Sequence, residues 1–114
     1  MKRKNPERDI HRAVVTHLTN RAKSGVIWFH VTNAPRNAVN GAILKTMGMR
    51  AGVSDLILYH NKELFALELK APAGRPTVEQ MKFQDEVREQ GGHAFVATGL
   101  DEALNCLNMW GLLR

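Results

Sequence analysis

A chain of 114 residues suits a single folding unit, residues 1–114, with one modest core. Lys and Arg number 16 against 11 Asp and Glu, for a net charge of +5 and a pI near 9.8, a balance that favours a polyanionic partner, most simply nucleic acid. The single cysteine, Cys106, excludes a disulfide framework and a structural zinc cluster, and the absence of a long apolar run excludes a membrane span and points to a cytoplasmic protein.

Met1 to Asn5 is a basic tail suited to touching phosphate. Pro6 fits the first turn of a helix that runs to about Ala22. At about 100° per residue, Ile10, Val14 and Leu18 form its apolar stripe. Glu7 falls in the middle of that stripe, and Asp9 points to the opposite side. An acid on an inward face needs a partner, so Glu7 either reaches an internal site or simply favours the positive helix N-terminus. His11 lies beside it on the inner edge, whereas His17 reads as an exposed helix residue.

Gly25 ends this helix, and the β-branched and aromatic run Val26 to Thr32 predicts a strand. From Asn33 to Ser54 the pattern breaks into a long connection, with a short helical turn expected around Ala42 to Met47. Connections this long are usually functional or unstructured. Arg36, Lys45 and Arg50 make this one basic, so it reads either as a DNA-backbone contact region or as a solvated loop.

The connection leads into Leu56-Ile-Leu-Tyr59 and Leu64-Phe-Ala-Leu67, two apolar strands joined by the polar turn His60 to Glu63. With Asn61 and Lys62 as the central turn residues, His60 pairs with Glu63 and the register places Asp55 opposite Glu68. Such partners project from one face roughly 5 Å apart, and Lys70 shares that face because side chains alternate along a strand. Two carboxylates at this separation repel each other unless a cation lies between them. Mg²⁺ favours one or two carboxylates with waters and phosphate oxygens, which suits metal-assisted phosphodiester hydrolysis. Lys70 would orient the water or offset transition-state charge. A Glu-x-Lys triplet is common by chance and alone reads as a surface ion pair beside a turn-capping acid; the register and the basic background favour the chemical reading.

Beyond Lys70, Ala-Pro-Ala-Gly-Arg-Pro is a rigid basic turn in which Arg75 offers a further backbone contact. Thr77 and Gln80 have capping-box spacing for a helix whose buried side carries Phe83 and Val87 and which ends at Gly91-Gly92. His93 to Ala97 is a strand. A last helix, capped by Thr98 or Asp101, carries Leu104, Leu107 and Trp110. The expected order is αβββαβα: an α/β fold with a central mixed sheet flanked by helices.

Gly52-Val-Ser-Asp55, Glu68-Leu-Lys70 and the following Gly-Arg-Pro-Thr-Val-Glu-Gln80 resemble the VRR-NUC (virus-type replication-repair nuclease) domain of the PD-(D/E)XK superfamily, which has a restriction-endonuclease-like core. Glu7-x-x-Ile10-His11 is similar to that family's opening Glu-x-x-Ile-Gln, and Gly-Gly-His-Ala-Phe-Val to its final strand. The motifs are short, and their order and spacing along nearly the whole chain make the match specific. Ser54 stands where the superfamily usually has proline, and His11 where glutamine is usual.

The resemblance implies a metal-dependent DNA nuclease leaving 5′-phosphate and 3′-hydroxyl ends. On that basis Asp55, Glu68 and the Leu69 carbonyl would hold Mg²⁺ or Mn²⁺, Lys70 would assist the water, Glu7 would complete the acidic cluster and Gln80 would support it. Stand-alone members resemble phage proteins that act as homodimers on branched DNA such as Holliday junctions, in bacterial or phage-infected cells. Two symmetric cuts across a junction need two sites related by a two-fold axis. The alternatives are a restriction-like or exonucleolytic enzyme of the same fold and a non-catalytic nucleic-acid-binding module.

Overall fold

The computed structural model describes residues 5–32 and 37–114. Its elements run α1 (Pro6–Arg21), β1 (Ile27–His30), α2 (Ala38–Thr46), β2 (Leu56–His60), β3 (Glu63–Lys70), α3 (Val78–Glu89), β4 (His93–Thr98) and α4 (Gly99–Met109). The strands form one sheet in the order β1-β2-β3-β4. β2 runs antiparallel to both of its neighbours, β1 and β3, and β4 runs parallel to β3 after the α3 crossover. This is the mixed α/β architecture expected, with one helix more than the αβββαβα order.

The hairpin register is the one the sequence predicts: His60 pairs with Glu63 and Leu56 with Leu67. Asn61 and Lys62 have φ of 50° and 67°, the positive values that a two-residue type I′ connection requires. Side chains of β3 alternate between two covered faces, so Phe65 through Lys70 are all buried. Phe65, Leu67 and Leu69 join Leu56 and Leu58 in the main core, against Val14 and Leu18 of α1 and Ala103, Cys106 and Leu107 of α4. The opposite face, bearing Ala66, Glu68 and Lys70, is the one α3 covers.

Helix α1 begins at the side-chain cap of Asn5, which accepts from the Arg8 N–H at 3.0 Å. Its far end is fastened to the C-terminal segment through the Ala22–Leu113 bridge and the Arg114 N–H donated to the Arg21 carbonyl at 2.7 Å. The basic tail before Asn5 lies outside the described residues.

Helix α2 corrects the expectation of a single turn from Ala42. It starts at Ala38 because the Asn37 side chain accepts from the Asn40 N–H at 2.7 Å, and it ends where Gly48 takes a φ of +96°. Among the described residues no other element packs against it. None of the described helices is long and apolar enough to cross a membrane.

Because Lys62 is exposed and sits at positive φ, a conformation that disfavours an L side chain, Lys62→Gly should raise unfolding stability by up to about 1 kcal/mol. Chemical denaturation measures this; a loss of stability would mean that the turn does not set the register.

Candidate active site

Asp55 sits immediately before β2, and Glu68 and Lys70 lie on the α3-facing side of β3. The Asp55 N–H donates to Glu68 Oε1 at 3.2 Å, and Asp55 Oδ2 accepts from the Leu69 N–H at 2.8 Å. Lys70 Nζ stands 3.6 Å from Glu68 Oε2. Glu68 is only 2% exposed and Lys70 8%. Burial above all, with the Asp55 carboxylate second, pushes the Glu68 carboxyl up to about 8, against the opposing pull of Lys70 and the Asp55 N–H.

The segment leading into β2 seats this cluster through two contacts with α3. Gly52, at φ +84°, lies so close to α3 that an added Cβ would come within 2.4 Å of the Glu79 carbonyl group. Buried Ser54 accepts a hydrogen bond from Gln84 Nε2 at 2.7 Å. Gln84 was not singled out in the sequence, where nothing local separates it from Gln80 one turn earlier. Gln80 itself is occupied in the capping box: Thr77 N–H donates to its Oε1 at 2.8 Å and its own N–H donates to Thr77 Oγ1 at 3.1 Å.

A cleft opens on the α1 side of Asp55, lined by Asn5, Glu7, Arg8, His11, Arg12, His30 and Asp55. Glu7 therefore shares a cleft with Asp55, while the Asp9 side chain is exposed and lies outside it. His11 and His30 meet edge to face with centroids 4.4 Å apart. Burial, then the neighbouring His30, lower the His11 pKa, and Asp55 and Glu7 pull it the other way. His30 Nδ1 lies 2.7 Å from the Asp55 carbonyl, which also accepts the Val31 N–H at 3.0 Å. The strand pattern of β1 did not single out His30. Arg8 and Arg12 were likewise passed over, although their i, i+4 spacing sets them on one helix edge.

The expected phosphate-contacting residues are scattered. Arg50 is paired with Glu86 and lies over the Phe83 ring, in a separate cleft with Tyr59 and Lys62. Lys45 is exposed on α2. Arg75 is exposed in the turn after Lys70. Arg36 lies outside the described residues.

The residues present fit a hard divalent cation. Asp55 and Glu68 offer carboxylate oxygens with a single ammonium nearby. A strand residue also turns its N–H and C=O to the same neighbour, so the Leu69 carbonyl faces the Asp55 side with its N–H.

The VRR-NUC domain family model matches residues 5–101. The chain belongs to the VRR-NUC family. A solved structure described as a VRR_NUC domain protein superimposes with a TM-score of 0.76 over 95% of this chain and 89% of its own, at 21% identity, a likeness of fold. No curated protein matches the sequence significantly. VRR-NUC membership carries a nuclease-type function, with nucleic acid as the substrate class.

The raised Glu68 pKa has a consequence for the metal-free protein. The folded state holds a proton that the unfolded chain releases near 4.5, so stability is full below that pH and falls as pH rises toward about 8. Glu68→Gln should remove this decline. Denaturation in chelator across that range checks it; parallel pH curves for the two proteins would refute the assignment.

Proposed function

We propose that this VRR-NUC protein is a metal-dependent, structure-selective DNA endonuclease that hydrolyses phosphodiester bonds in branched DNA such as Holliday junctions. The observation that carries the reading is the contact of Asp55 with Glu68 and with the Leu69 N–H, Lys70 adjoining. Asp55, Glu68 and the Leu69 carbonyl would hold Mg²⁺ or Mn²⁺. When bound, such an ion supplies an activated water and offsets charge on the phosphoryl oxygens.

The chain's own residues then have separate tasks. Asp55 is held by the Leu69 N–H, which fixes one of its oxygens, and α3 shields Glu68 from solvent. The Lys70 ammonium, on its buried stem, lies where it can orient the attacking water and stabilise negative charge as it develops. Glu7 adds a second carboxylate to the open side of Asp55. Arg8, Arg12 and Arg75 would hold the flanking phosphates, and the resemblance implies that the bond to the 3′ oxygen breaks, leaving a 5′-phosphate.

Asp55→Asn or Glu68→Gln should abolish cleavage of labelled four-way, flap or linear DNA and leave binding largely intact. Lys70→Ala should cost roughly 10²-fold or more in rate. Glu7→Gln should impair cleavage severely while Asp9→Asn does little. Near-wild-type cutting by either carboxylate variant would end the proposal, and equal effects at Glu7 and Asp9 would remove Glu7 from the site. Cutting confined to linear or flapped DNA would move the function to the restriction-like or exonucleolytic alternative, and binding without any cutting to the non-catalytic module.

A homodimer follows from the need for two coordinated cuts. Val39, Ile43 and Met47 recur at four-residue spacing along α2 and are 71%, 53% and 78% exposed, which supports a second copy as the cover for this face. Light scattering at assay concentration should give twice the chain mass, reduced to one by Val39→Glu with Ile43→Glu. A wild-type monomer that still made paired symmetric incisions would defeat the argument.

A further inference from the structure

His11, His30 and Asp55 each present one ligand atom, and the three atoms lie within 4.8 Å of one another. Atoms bound to one tetrahedral ion at about 2.1 Å stand about 3.4 Å apart, so the set closes on a cation with each atom moving by under an ångström. His30 Nδ1 is 2.7 Å from the Asp55 carbonyl oxygen, an acceptor only, so that nitrogen carries the proton and Nε2 keeps its lone pair. A ligating histidine usually donates its other ring N–H in this way, which fixes both tautomer and direction. The three groups come from α1, β1 and the segment before β2, and they line a cleft open to solvent.

We propose that His11, His30 and Asp55 form a second cation site, distinct in chemistry from the all-oxygen set of Asp55, Glu68 and Leu69, which takes a later transition ion such as Zn²⁺ in preference to Mg²⁺. Imidazole nitrogen suits zinc and later first-row ions, whereas Mg²⁺ is served by carboxylate, carbonyl and water. Two imidazoles and one carboxylate leave coordination positions free toward the cleft, where Arg8 and Arg12 also stand. A phosphate oxygen or a water can occupy those positions. The site rests on the functional reading above only through the shared Asp55 carboxylate, which would bridge two ions of different hardness.

The test uses the full chain labelled with ¹⁵N and Zn²⁺ as the probe, read by the ring-nitrogen resonances of its 5 histidines and by calorimetry. Zn²⁺ should shift His11 and His30 and leave His17, His60 and His93 in place; Mg²⁺ should move none of them. His11→Ala and His30→Ala should each weaken Zn²⁺ binding by at least about 10-fold, and Glu68→Gln should leave it nearly unchanged. The ring spectrum of each variant also reports whether the fold is intact. Zn²⁺ shifts confined to the other histidines, undiminished binding in both histidine variants, or equal shifts with Mg²⁺ would overturn the site. Failure here leaves the cleavage tests of Asp55 and Glu68 standing, and cleavage by those two variants would leave the zinc result standing.

Discussion

The carboxylate of Glu68 is costly to keep ionised, because it is nearly sealed from water and faces a second acid. Desolvation and like-charge repulsion both oppose its ionised form. It can be carried there only because the chain around it is held in one register. A slip of a single residue along β3 would turn Glu68 into the apolar face now filled by Leu67 and Leu69, and Asp55 would lose its acidic partner. The turn at Asn61 and Lys62, the two covered faces of β3 and the parallel pairing with β4 all fix that register. The close approach of Gly52 to α3 and the Ser54–Gln84 bond then hold the segment leading into Asp55.

Helix α1 completes the site from outside the sheet. Val14 and Leu18 are buried against α4 and β3, and the C-terminal segment ties down Arg21 and Ala22. That anchorage leaves the first two turns facing Asp55. The same turns carry Glu7, His11, Arg8 and Arg12, so acid, imidazole and guanidinium reach one cleft from one rigid element. A rim of arginines around an acidic centre attracts a polyanion and still leaves the centre free for a cation.

Much of this was legible in the sequence because the hairpin has a period of two and an unambiguous polar turn. Register is then arithmetic, and the pairing of Asp55 with Glu68 follows from it. The inward position of Glu7 followed from helical periodicity in the same way. What escaped depends on contacts between segments far apart in the chain. Gln80 satisfies the helix end locally, while Gln84, with the same side chain one turn on, crosses to Ser54, and nothing local distinguishes the two. His30 gains its meaning only from Asp55 and His11, which lie in other elements. Arg50 looked like a free loop charge, and its pairing with Glu86 spans 36 residues. Helix α2 was underestimated because its start depends on an asparagine cap in a segment whose length suggested a loop.

Electrostatics also orders the steps by which such a site could work. Once Glu68 gives up the proton it holds in the metal-free protein, two carboxylates beside one ammonium leave a net negative charge, and a phosphodiester brings another. Unit charges 4 Å apart interact by about 4 kcal/mol at the effective dielectric of a protein surface, enough to exclude the scissile phosphate if nothing intervenes. Arg8, Arg12 and Arg75 can hold the neighbouring phosphates, but none shares a hydrogen bond or ion pair with Asp55 or Glu68 among the contacts described. On the proposed reading, binding of nucleic acid by the rim and admission of one phosphate to the centre would therefore be separable events. Only the second depends on cancelling the charge of Asp55 and Glu68. On that reading, the basic surface would select the polyanion and the acidic centre would decide when the backbone can enter.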